Sequence, residues 1–349
     1  MIPLAHIAQP LSQFDRFPGT RYMGSKNKIL PDIWLQIRDL DFESVYDAFA
    51  GSNVVSYFLK CQGKKVITND FLAFSHITSR AIIENSTDTL DENDVNFLLT
   101  ENKNDGFIER TFRNIFYNDE ENQFLDRVRY NITLLETQYE QALALSALVR
   151  ACVKKRSRGI FTFVGERYND GRLDMQKSIE EHFIESIKIF NDAVFDNEKG
   201  NWSYNEHTEA LEVTADLVYL DPPYFSPTSD NDYVRRYHFV EGLVKDWKDI
   251  TIQEHSVVKK FKSYVSPFSK RETAYSAFEN LFKKHQNSII VVSYSSNSFP
   301  TKDELAEMLR KYKSSVDIHE IDHTYSFGNQ KHKSGNLNNR VKEYVFIGK

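Results

Sequence analysis

Two textures alternate along this chain. Near its start, Ser44-Val45-Tyr46-Asp47-Ala48-Phe49 runs into Ala50-Gly51-Ser52-Asn53, a helix-like stretch follows from Val54 to Cys61, and Val66-Ile67-Thr68-Asn69-Asp70 comes next. Strand, glycine turn, helix and strand in that order predict a βαβ unit. Towards the other end, apolar runs at Ala215 to Leu220, Ser288 to Asn297, Ser315 to Ile321 and Glu343 to Ile347 read as strands, and Lys302 to Lys311 as a helix. The last two strands flank a polar, hairpin-like segment, Gly328 to Asn339, which predicts an antiparallel edge on a parallel sheet. Between Glu84 and Glu206 polar and charged residues dominate and parallel-strand signals fade, so an inserted, mainly helical module is expected there. Its strongest helix is Tyr139 to Val153, with Leu143, Leu145, Leu148, Val149 and Cys152 at apolar positions. The expected architecture is α/β: one domain from residues 1–85 and 206–349, with a second inserted at 86–205.

Composition narrows the class. A chain of 349 residues with 40% hydrophobic content exceeds one average domain and can fill a real interior. There is no eighteen-residue apolar stretch and no basic segment leading into an apolar one, so neither a membrane span nor a secretory signal is expected, and the cytoplasm is the expected location. Cys61 and Cys152 are far apart and lack His/Cys companions at ligand spacing, which argues against a disulfide framework and a structural zinc site. The net charge of −6 says little about a nucleic-acid partner, because such binding depends on where cations cluster.

The segment with the most chemistry is Asp221-Pro222-Pro223-Tyr224, at the end of the buried run Ala215 to Leu220. Prolines have no N–H and cannot continue a ladder, so carbonyls there stay free to accept hydrogen bonds from a ligand. A carboxylate, free carbonyls and an aromatic ring together suit a flat ring bearing an exocyclic amine; an ordinary strand ending in a Pro-Pro turn is the plainer alternative. In the βαβ unit, Asp70 lies about 20 residues past the glycine turn, the offset of a ribose-binding acid. The dinucleotide pattern Gly-x-Gly-x-x-Gly is absent and Asp47 would repel a pyrophosphate, so an adenosine-type ligand carrying a cation fits better. Further on, Lys154-Lys155-Arg156-Ser157-Arg158-Gly159 leads into Ile160-Phe161-Thr162-Phe163-Val164-Gly165. This run matches a phosphate-gripping loop and equally a helix terminus whose cations favour the dipole.

Four segments in order, Arg21 to Leu30, Asp47 to Ser56, Asn69-Asp70 and Asp221 to Tyr224, together resemble the D12 class of adenine-N6 DNA methyltransferases in its alpha arrangement. The resemblance extends over nearly the whole chain. It implies a Rossmann-like S-adenosylmethionine methyltransferase sheet, mostly parallel with an antiparallel late strand, carrying a target-recognition insert. By that resemblance Tyr22, Gly24 and Lys26 border the methionyl group of S-adenosylmethionine, Asp47, Phe49, Ala50 and Gly51 hold its methionyl end, and Asp70 takes the ribose. Asn53 stands where the family usually has glycine, and could crowd the cofactor or donate a hydrogen bond to it. Glu206, His207 and Glu209 compete for the place beside the cofactor's adenine.

The implied reaction is methylation of the N6 amine of a flipped adenine in double-stranded DNA. Within Asp221-Pro222-Pro223-Tyr224, Asp221 and the Pro222 carbonyl would accept the two amine N–H bonds and Tyr224 would stack on the base. Lys154, Lys155, Arg156 and Arg158, with Arg235 and Arg236, and more weakly Lys331 and Lys333, would hold phosphates. An RNA adenine-N6 methyltransferase and a catalytically impaired DNA-recognition subunit are the rival readings. A restriction endonuclease or a defence-system subunit is the partner such a role would bring.

Overall fold

The computed structural model describes residues 11–165, 171–223, 225, 232–324 and 340–349. Tyr224, Lys331, Lys333 and the whole segment from Gly328 to Asn339 lie outside the described residues. Seven strands form one sheet: β1 (Ser44–Asp47), β2 (Lys65–Asn69), β3 (Trp202–Tyr204), β4 (Leu217–Leu220), β5 (Ile289–Ser295), β6 (Val316–Thr324) and β7 (Arg340–Gly348). Their order is β3-β2-β1-β4-β5-β7-β6. The first five are parallel, while β7 runs antiparallel to both β5 and β6. This is the expected α/β sheet, mostly parallel with an antiparallel late strand.

Alternation along each strand sends side chains to two cores. Val45, Leu217, Tyr219, Val291, Val345 and Ile347 face one, and Tyr46, Val218, Leu220, Ile290, Val292 and Phe346 the other. Helices Arg271–Lys284 and Lys302–Arg310 cover the second face. The first face is covered by Leu30–Ile37, Val54–Cys61 and Ala73–Ser79, and by helices between residues 86 and 205 in the same continuous core.

Among the described residues, four helices between positions 91 and 193 begin with a reciprocal cap that satisfies otherwise orphaned N–H groups. Asp91, Asn118, Thr137 and Ser178 each accept from the third helical residue, whose own side chain returns the bond. Helix Gln138–Lys155 is buried without a break from Ala142 to Val153. Its sequence therefore carries small and apolar residues around the whole circumference instead of one stripe. One element of the sheet falls inside the range expected for the insert: β3 pairs with β2 through Ile67, Thr68 and Asn69.

Strand order reverses between β1 and β4, which both leave the sheet at their carboxyl ends there. In doubly wound sheets the crevice outside such a reversal is where ligands bind.

Candidate active site

The register of β1 and β4 builds the site. Asp47 pairs with Tyr219, so Asp221, two residues on, emerges beside the turn that follows Asp47. A cleft of about 630 Å³, open mouth included, is lined by Tyr22, Lys26, Asp47, Phe49, Gly51, Asp70, Asp221, Pro222 and Pro223 among others. Gly24 and Ala50 also line it. Phe49 and Phe71 are shared with a second hollow of about 290 Å³, lined by Glu206, His207, Glu209, Pro267 and Phe268. The Phe71 and His207 rings stack at 6.0 Å.

The turn between β1 and the next helix is held from both sides. Gly51 has φ +51°, and a Cβ there would sit 3.2 Å from the Tyr22 ring. Asp70 Oδ2 accepts the Gly51 N–H at 2.8 Å and Oδ1 accepts the Leu72 N–H at 2.9 Å. Asp47 Oδ2 accepts the Ser56 hydroxyl at 2.6 Å. Asn53 is fully buried with φ 63°, a conformation that asparagine tolerates better than most residues. Its amide points inward: Nδ2 donates to the Ser75 carbonyl at 3.0 Å and Oδ1 accepts the Ser79 hydroxyl. Asn53 thus braces the turn against helix Ala73–Ser79 and is absent from the lining of the cleft.

The loop carrying Tyr22, Gly24 and Lys26 is fastened by helix Tyr233–Lys245, a contact the sequence did not reveal. Tyr233 and Tyr237 lie one turn apart on one face. Their rings stack on Tyr22 at 5.7 and 5.5 Å. The Met23 N–H donates to Tyr237 Oη at 2.9 Å, and Tyr233 Oη donates to the Met23 carbonyl at 3.2 Å. Gly24, at φ +78°, leaves the room this needs, since a Cβ would approach Tyr233 Oη to 2.8 Å.

Charge is concentrated at the floor. Burial pushes the Asp47 and Asp70 carboxyls up to about 7 and Asp221 up to about 6, the last restrained by Lys26. Lys26 Nζ lies 2.9 Å from Asp221 Oδ1 and 4.0 Å from Glu343 Oε2. Glu343 on β7 was not expected at the site. Among the described residues lining the cleft, Lys26 is the one ammonium beside the carboxyls of Asp47, Asp70 and Asp221, an arrangement suited to a ligand that brings positive charge.

The basic run at the end of helix Gln138–Lys155 is less uniform than its sequence implied. Arg156, expected at a phosphate, is 2% exposed, and its guanidinium donates to the carbonyls of Phe116, Ile160, Phe163 and Gly165. The Phe116 and Phe163 rings flank it at 5.1 and 4.6 Å. It is an internal cross-brace, because the aromatic stretch that follows folds back over it. Lys154 pairs with Asp174 at 3.2 Å, Lys155 with Glu121 at 3.1 Å, and Arg158 is partly exposed with φ +61°. Arg235 is exposed and Arg236 partly so, in the first turn of helix Tyr233–Lys245. Arg156→Ala is expected to cost about 3 kcal/mol of stability in urea denaturation, since it orphans several buried carbonyls, and Lys154→Ala under about 1 kcal/mol. Equal losses would contradict this division.

The sequence profile of the family described as D12 class N6 adenine-specific DNA methyltransferase matches residues 22–297. The Type II methyltransferase M2.HphI of Haemophilus parahaemolyticus is 30% identical over 334 residues, 91% of this chain and 95% of that protein. The modification methylase StsI of Streptococcus sanguinis is 25% identical, covering 94% of this chain and 51% of that protein. The Type II methyltransferase M.FokI of Planomicrobium okeanokoites is 23% identical, with 93% and 52% covered. The chain thus spans nearly the whole of the first relative and about half the length of the other two.

Proposed function

This chain belongs to the D12 class of N6 adenine-specific DNA methyltransferases, and from that premise we propose that it transfers a methyl group from S-adenosylmethionine to the N6 amine of a flipped adenine in double-stranded DNA. The observation that carries the residue assignment is the single cleft lined by Asp47, Asp70 and Asp221 together with Pro222 and Pro223.

The acid-rich floor fits a cationic cofactor. Asp47 would hold the methionyl ammonium and Asp70 the ribose hydroxyls; each Asp70 oxygen already accepts one N–H and retains a further lone pair. Glu209 is the best placed of the three candidates for the cofactor's adenine. It lines the second hollow, and its Oε1 is closed to solvent with no hydrogen-bond partner among the described residues, an acceptor suited to a donor such as an amino group. When bound, S-adenosylmethionine supplies an electrophilic methyl group on a positively charged sulfur.

The chain's own residues prepare the amine. Asp221 and the Pro222 carbonyl accept its two N–H bonds, drawing the nitrogen towards tetrahedral geometry and localising a lone pair otherwise delocalised into the ring. The proton becomes acidic only as the new bond forms, so no separate strong base is required beforehand. Rate comes from positioning and preorganised charge. Tyr224 offers a stacking face worth about 1–3 kcal/mol against the cost of extruding the base. Lys154, Lys155, Arg158, Arg235 and Arg236 contact phosphates, contributing affinity without sequence choice. The inserted helical region, residues 86–205, reads the target, and a restriction endonuclease is the partner that the names of the relatives favour.

DNA from a host expressing the protein, sequenced with modification-sensitive chemistry, is expected to carry N6-methyladenine in one short sequence context. Methyl groups confined to RNA, or absent from DNA when purified protein meets labelled cofactor, would overturn the reading.

A further inference from the structure

Lys26 stands between two acids on different elements. The side chains of Lys26, Asp221 and Glu343 are 6%, 17% and 1% exposed, and Lys26 Nζ is in contact with Asp221 while remaining within 4.0 Å of Glu343. Glu343 reaches this floor because β7 lies inside the sheet, paired with β5 at Ser295 and with β6 at Ile321. A carboxylate in such a place is costly unless it is paired or hydrogen-bonded, and the Lys26 ammonium lies within its reach.

On the reading that Asp221 accepts the target amine, Lys26 is a competitor for the same carboxylate. It cannot retreat into water without leaving its buried position, and Glu343 is an acid within its reach. We propose that Glu343 is a positioning residue that takes up the Lys26 ammonium as the adenine amine engages Asp221. The two Lys26 distances differ by about 1 Å, within the reach of a flexible four-carbon stem. The exchange moves no net charge out of the floor: one ammonium passes between two acids and stays within a few ångströms of Asp221, whose oxygens are freed for the amine.

The test uses the full chain with unmethylated duplex DNA and S-adenosylmethionine. Glu343→Gln, nearly isosteric, is expected to lower kcat about tenfold or more while KM for the cofactor and the melting temperature stay close to wild type. Glu343→Asp keeps the charge and is expected to recover most of kcat, whereas Glu343→Met is not. An unchanged kcat, a loss of cofactor binding and melting temperature in step with kcat, or a Glu343→Asp variant no faster than Glu343→Met would each overturn the proposal. Undiminished activity in Asp221→Asn would instead remove Asp221 from its assigned role, whatever Glu343 does.

Discussion

Replacing Asp221 by asparagine is expected to lower methyl transfer about a thousandfold, with cofactor affinity changed only a few-fold. Removing one preorganised group aimed at charge developing in a transition state costs about 10²–10³ in kcat. Asp221 adds to this its grip on the amine, since an asparagine amide presents a donor where an acceptor is needed on one side. Asparagine is a cleaner probe than alanine here, because alanine would also leave Lys26 beside an empty volume in a closed floor. Asp221→Ala is expected to be inactive as well, and its larger loss of stability separates the packing effect from the chemical one. Steady-state rates on unmethylated DNA and calorimetric titration with S-adenosylmethionine decide the matter. An Asp221→Asn enzyme within about tenfold of wild type would withdraw the catalytic assignment.

Cofactor affinity is expected to fall steeply as pH drops below neutrality. Asp47 and Asp70 are held up to about 7 by burial, so below that value they carry protons before the cofactor binds. A ligand bearing an ammonium and a sulfonium favours the ionised carboxylates and must displace those protons. The sign follows by linkage: binding releases protons, so affinity rises with pH until both groups are already ionised. Between pH 8 and pH 6 the dissociation constant should grow about tenfold for each carboxylate that has to ionise. Asp47→Asn is expected to weaken binding at pH 8 and to flatten the profile by one such step. A dissociation constant that does not change from pH 6 to pH 8 would mean that Asp47 does not meet the ammonium and that Asp70 does not take the ribose as a carboxylate.

Most of the sheet was legible because its strands are short apolar runs with polar ends. Asp47, Asp70 and Asp221 all stand at carboxyl ends of neighbouring strands, so predicting parallel pairing was enough to bring them towards one crevice. β3 escaped notice because three residues, Trp202 to Tyr204, with a serine between two aromatics, carry too little pattern to separate from the loops around them. The basic run illustrates a different limit. Arg156 and Arg158 have the same side chain two positions apart, and only the fold of Phe161 and Phe163 over the first decides that one is interior. Tyr233, Tyr237 and Glu343 reach the site from elements distant in the chain, and a local reading of spacing has no access to such contacts.

Helix Gln138–Lys155 has a practical consequence for anyone wishing to redirect this enzyme to another DNA sequence. Its apolar surface is continuous with the interior beneath β1 and β4, so the stretch between residues 86 and 205 is not an exchangeable cartridge. A chimera cut at those borders would have to import a foreign helix that packs against helices Ala73–Ser79 and Tyr233–Lys245, or else tolerate voids in the core they share. Retargeting should therefore proceed by altering solvent-facing side chains on a retained helical frame.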